Sequence, residues 1–217
     1  MVYQIDRIVR DVRVCLDQNA SSAALISSGD IETLFLEDVI KSKILEGVRR
    51  VHTDAPYYLL EGGHNFGDSL YWSDISDNDR PCCGWVLLPV DFLRLVVFEM
   101  SDWERAVYSA ISTTDDEYAL QRSRFKGIRG TPQRPVCAIG VRPEGRVLEF
   151  YSCKSTDAQV SRAVYIPYPT IDTDGGVDIS ERCYDAVVYM IGGLTLASQG
   201  DATRSAALFE LSKNNLQ

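Results

Sequence analysis

Side chains able to do chemistry are sparse in this sequence. The chain has two histidines and six cysteines in 217 residues. His52 falls near the end of a helical pattern, where it would complement the carbonyl end of the helix. His64 stands between Gly63 and Asn65, with no carboxylate or cysteine at helical spacing, and reads as a surface side chain in a loop. Cys82 and Cys83 are adjacent, a poor spacing for zinc, and no Cys-x-x-Cys occurs. Cys15, Cys137, Cys153 and Cys183 sit among apolar residues and read as small core hydrophobes. Reduced thiols are expected throughout. Asp172-Thr-Asp174-Gly-Gly-Val-Asp178 begins like a calcium loop. The places that need glycine and glutamate hold Val177 and Cys183, so a solvated turn before a helix is expected instead. There is no Walker loop, H-E-x-x-H, G-x-S-x-G or dinucleotide fingerprint, and Gly127-Ile-Arg-Gly130 is too short for a phosphate loop. No catalytic, cofactor-binding or metal-binding residue is assigned, and the chain is expected not to be an enzyme. The competing enzymatic reading would centre on Cys82-Cys83 and His64 and predicts loss of activity on alkylation.

One segment departs from its surroundings. Gln121–Arg134 holds Arg122, Arg124, Lys126, Arg129 and Arg134 and no acidic residue, with Phe125 and two glycines between them. Basic residues beside an aromatic could contact a nucleic-acid backbone. They could also meet acidic surface on another subunit or partner. The whole chain has 31 acidic residues against 22 basic ones, a net charge of −9. That balance argues against a protein that grips nucleic acid over its whole surface. It favours a protein contact, with Asp115-Asp116-Glu117 of a neighbour as a candidate counterpart. A small nucleic-acid-binding or regulatory module using residues 121–134 is the alternative.

The elements around this segment follow from periodicity. Ile5, Ile8, Val9, Val12 and Leu16 form one helical stripe, and that helix should end before Asn19–Ser22. Val39, Ile40, Ile44, Val48 and Val51 form a second, over Leu36–Val51, with acids in its first turn and Arg49 and Arg50 in its last. Residues 57–83 read as an irregular connection, with Ser73–Arg80 as its polar run. Trp85–Leu88, Leu93–Phe98, Val136–Val141, Arg146–Ser152 and Ala163–Ile166 are strand-like. Arg142-Pro-Glu-Gly145 is a hairpin turn, and the Arg146–Ser152 strand carries bulk on both faces. Asp178-Ile-Ser-Glu181 has the shape of a capping box before an apolar helix over Ser180–Ala197. Gly200-Asp201 should end it and cap a last helix with Leu208 and Leu211 inward, leaving Asn214–Gln217 frayed. The expected fold is α+β. Residues 1–56 and 178–217 make a helical bundle, and 84–170 form a β-rich insertion. No apolar run approaches the roughly 20 residues of a membrane span, and the charges along Met1–Leu16 do not suit a signal peptide.

Leu88-Pro-Val-Asp-Phe-Leu-Arg-Leu95, after two amphipathic helices and an aromatic-rich loop, resembles head–tail connector (adaptor, or neck ring) proteins of tailed bacteriophages. Met100-Ser-Asp-Trp-Glu-Arg-Ala-Val107 and Phe125–Val136 are similar to versions in crAss-like phages, as is the closing helical hairpin from Gly200-Asp201 through Ala202–Leu211. The resemblance covers the layout of nearly the whole chain. It implies a structural virion protein, a homo-oligomeric ring (a dodecamer) below the portal protein that extends the DNA channel toward other neck or tail proteins. It implies no cofactor and no membrane, with DNA passing the lumen unbound. An acidic chain can line such a lumen, since like charge keeps DNA from sticking.

Overall fold

The computed structural model describes residues 1–16, 36–60, 62–73 and 82–217. The polar stretches expected as breaks at 19–22 and 74–80 lie outside the described residues. The protein is mixed α+β. In chain order its elements are β1 (Val2–Gln4), α1 (Ile5–Cys15), α2 (Leu36–Asp54), β2 (His64–Asn65), β3 (Leu70–Trp72), β4 (Cys82–Leu87) and β5 (Phe92–Met100). Then come β6 (Ile111–Ser112), α3 (Asp116–Leu120), β7 (Cys137–Arg142), β8 (Gly145–Cys153), β9 (Val160–Pro167), β10 (Gly176–Asp178), α4 (Tyr184–Ser198) and α5 (Ala202–Asn214). They fall into two compact units, Met1–Glu61 with Tyr168–Gln217, and Gly62–Pro167.

The first unit is built on helical stripes. Ile8, Val9 and Val12 of α1, Ile40, Ile44, Val48 and Val51 of α2, and Val187, Ile191 and Leu194 of α4 belong to one buried cluster. Arg13 and Glu37 form an ion pair at 2.5 Å that ties α1 to α2. A Cβ on Gly47 would lie 2.5 Å from Ile191 Cγ1, so the missing side chain lets α2 approach α4 closely. Helix α2 runs to Asp54, a turn beyond the expected end at Val51, because Val51 and Ala55 continue its buried stripe. Pro56 then disfavours helical backbone at the residue before it.

Three local expectations are corrected in this unit. The capping box does not form: Asp178 ends β10, which pairs antiparallel with β1, and its carboxylate meets the Met1 ammonium at 2.8 Å. A single 3₁₀ turn, Glu181–Cys183, intervenes, and α4 starts at Tyr184. Leu211 is exposed, while Ser205 and Ser212 of α5 are buried. Their hydroxyls donate to the Gly193 and Ala186 carbonyls of α4, both at 2.8 Å. The tail is not frayed: Leu216 is buried, and the Gln217 carbonyl accepts from the Tyr58 hydroxyl at 3.1 Å. The break before α5 forms as expected, with Gly200 at φ +86° and the Asp201 carboxylate accepting from the Arg204 amide.

The second unit holds two sheets, a three-stranded one in the order β2-β9-β5 and a five-stranded one in the order β3-β4-β8-β7-β6. Neighbouring strands are antiparallel except β6 and β7. Phe98 of β5 stacks on Phe150 of β8 with ring centroids 6.0 Å apart, and Phe66, Phe92 and Tyr165 extend the same cluster. The β7–β8 hairpin turns where Arg142 pairs with Gly145, whose φ of +133° favours glycine. From Val147 to Cys153 every residue of β8 is buried, so both its faces are covered. One face joins the aromatic core. The other is covered by the chain between β6 and β7, and this covering segment contains the basic run.

Candidate functional site

A buried carboxylate anchors the covered face. Glu149 lies on β8 opposite Ala138 of β7 and is 6% exposed. It accepts from the Tyr118 hydroxyl at 2.9 Å, from the Tyr151 hydroxyl, and from Arg142 Nε at 2.9 Å. The Arg142 guanidinium in turn lies 3.9 Å from the centre of the Trp85 ring. Burial alone would push the Glu149 carboxyl up. The hydrogen bonds from Tyr151, Arg142 and Tyr118 outweigh that and hold it below the usual carboxylate range. Tyr151, buried beside this charge, is pushed well above the ordinary phenol value. The cluster is a charge fully supplied with donors, and it fixes α3 to the sheet through Tyr118.

Helix α3 leads into the basic segment, and Gln121 clips that segment shut. Gln121 is buried; its Nε2 donates to the Glu117 carbonyl at 2.9 Å, and its Oε1 accepts from the Gly130 amide at 2.8 Å. A Cβ on Gly130 would stand 2.5 Å from Ser152 Oγ, so this point of the loop presses directly on β8. Ser152 Oγ also accepts from the Val136 amide at 3.3 Å. The enclosed residues leave a groove of about 540 Å³, lined by Lys126, Arg129, Arg134, Glu117, Leu120 and Ile128 among others.

The sequence-predicted cations do not all share one environment. Arg122, Arg124, Lys126 and Arg134 are exposed, as expected for a contact loop. Arg122 lies over Tyr118 and Arg124 over Phe125, with the guanidinium 5.8 and 5.1 Å from the ring centres. Among the described residues, none of these four forms an ion pair. Arg129 is the exception to the expectation: it is only 8% exposed and forms part of the groove wall. Packing of Gly130 against Ser152 draws its neighbour Arg129 inward. Of the acidic triplet, the Asp115 carboxylate accepts from the Ser112 amide at 2.7 Å and Glu117 lines the groove.

His52 is buried, and burial pushes its pKa below the ordinary value, so at neutral pH it is uncharged and does not act as a cationic helix complement. His64 is exposed in β2, opposite Tyr165 of β9, rather than in a loop. All six cysteines are free thiols. Burial raises the thiol pKa of Cys82 and of Cys83, which opposes thiolate formation. The Asp172 carboxylate accepts from the Asp174 amide at 3.0 Å and from the Gly176 amide, closing a turn with Gly175 at φ +73°. Among the described residues no group of three histidine, cysteine, aspartate or glutamate side chains is placed to hold a metal ion. No helix among them is long and apolar enough to cross a membrane.

Sequence reasoning missed Glu149, Tyr118, Tyr151 and the role of Gln121. The available signal was an acid set between Leu148 and Phe150 in an otherwise apolar strand, with Arg142 across the hairpin turn. No model of a known protein family matches the chain, and no curated protein matches it.

Proposed function

We propose that this chain is a head–tail connector subunit of a tailed bacteriophage, a structural protein whose copies close into a ring below the portal. In this reading the terminal helices form a helical bundle with the β-rich unit inserted between its halves. The β-rich unit meets its neighbours through residues 121–134. The observation that carries the proposal is the exposed group Arg122, Arg124, Lys126 and Arg134, held on a built loop of a chain whose net charge is −9. A cationic loop on an acidic protein is complementary to the acidic surface of the next copy. One such contact, repeated with a fixed rotation, closes into a ring. The dodecamer, the portal as partner and the virion neck as location come from the resemblance of the sequence motifs to connector proteins.

The test is the mass and negative-stain image of the purified protein, alone and with portal protein. A closed ring is expected, and Arg122→Glu with Arg124→Glu should disperse it while circular dichroism stays unchanged. A monomer or dimer that never forms a ring with or without portal would remove the proposal. The exposed Phe125 among these cations is the one observation favouring the second reading, a nucleic-acid-binding module. That reading predicts salt-dependent DNA retention by a small species.

A further inference from the structure

We infer that the groove between α3 and residues 126–136 is a binding slot for a stretch of another protein subunit that carries both acidic and apolar side chains. The inference rests on the reading of the 121–134 loop as a contact between proteins, and it names what that contact receives. Three features of the groove select this ligand. First, its rim is cationic: Lys126 and Arg134 are exposed there. Second, the groove is already formed. Gln121 spends its amide on the Glu117 carbonyl and the Gly130 amide, so the loop needs no ordering when a ligand enters. Third, the lining contains exposed apolar side chains: Leu120 at 42% and Ile128 at 52% exposure.

The third feature separates a peptide from a phosphodiester. A sugar–phosphate backbone would bring charge to Lys126 and Arg134 but would leave Leu120 and Ile128 uncovered. It would also face Glu117 in the lining and Asp115 and Asp116 just before it. A peptide segment with alternating acidic and apolar residues satisfies both sets. Its carboxylates meet the cations, and its apolar side chains cover Leu120 and Ile128.

The test uses the full chain and a fluorescent synthetic peptide alternating glutamate and leucine. A counterpart with glutamine in place of glutamate and a single-stranded DNA serve as comparisons. Binding is read by anisotropy, and the site by photo-crosslinking with mass spectrometry. Crosslinks are expected on residues 117–136. Lys126→Glu with Arg134→Glu, both exposed positions, should weaken the peptide by about tenfold or more. Gln121→Ala keeps every cation but loosens the clip, and it should also weaken binding. Equal binding of the glutamine peptide, tighter binding of DNA, or peptide affinity unmoved in the double variant would each overturn the inference. Ring mass, followed in parallel with Arg122→Glu and Arg124→Glu, keeps the two readings apart. A chain that forms no ring but loses the peptide in the groove variant supports the slot and defeats the connector. A ring whose peptide binding ignores the groove variant does the reverse.

Discussion

Glu149 keeps its negative charge inside a sheet because two phenols and a guanidinium replace the water it gave up. Its pH behaviour follows from the direction of the shift. A carboxyl held below its unfolded value stabilises the fold at pH above the usual carboxylate range. That contribution is lost as the pH falls through the lower folded value. Wild type should therefore lose stability on acidification below the ordinary glutamate pKa, and Glu149→Gln should show a flatter profile there. At neutral pH Glu149→Ala should cost about 3–5 kcal/mol, since it strands the partly buried Arg142 and two phenols. Urea midpoints across pH would show both effects. The thiols make a second residue-scale prediction. Burial raises Cys15, Cys82 and Cys83 and raises Cys137 well above the usual thiol value. Iodoacetamide at neutral pH should label the native protein slowly, with Cys137 labelled only after denaturation, as mass spectrometry would report. At this scale the basic run was legible, because charge is written in composition. The burial of Arg129 was not, because it depends on Gln121 reaching Gly130 and on Gly130 pressing on Ser152.

Helices and strands with long apolar stripes were legible from spacing alone. α1, α2 and α4 each carry their buried residues where the period places them, and β8 is buried on both faces as its bulk implies. Errors gathered where a short element was decided by a distant partner. β1 and β10 have three residues each and exist because they pair with one another across the length of the chain. That pairing takes Asp178 away from its capping role. In α5 Leu208 and Phe209 pack against the core, over Gly192 and Gly193 of α4, while Leu211 is exposed and Ser205 and Ser212 turn inward to bond α4 carbonyls. Ser212→Ala should therefore cost about 1–2 kcal/mol, whereas Leu211→Ser should stay within about 0.5 kcal/mol, an inversion of simple hydrophobic expectation. Ile191→Asp, which puts an unpaired charge among α2 and α4 side chains, should cost several-fold more, at least about 3 kcal/mol. Thermal and urea unfolding of the three variants would rank them.

For the molecule as a whole, the net charge of −9 sets how copies can approach one another. Rings joined by exposed cations should fall apart as salt rises, because surface charges are screened within roughly 10 Å at 0.1 M. Analytical ultracentrifugation over a salt series would show this, and a ring indifferent to salt would locate its main contact away from residues 121–134. The division into units has a different consequence, one that concerns the order of events during synthesis. Gly62–Pro167 is a single uninterrupted stretch, whereas the other unit needs both ends of the chain. A ribosome that has released Pro167 has delivered every strand of the β-rich unit. The stripes of α1 and α2 are still waiting for α4 to be translated. The middle of the chain can therefore fold while the beginning stays open, with Ile8, Ile40 and Ile44 uncovered until the last fifty or so residues emerge. A nascent chain stalled after Pro167 is the form that chaperones and proteases would meet with its apolar helices bare.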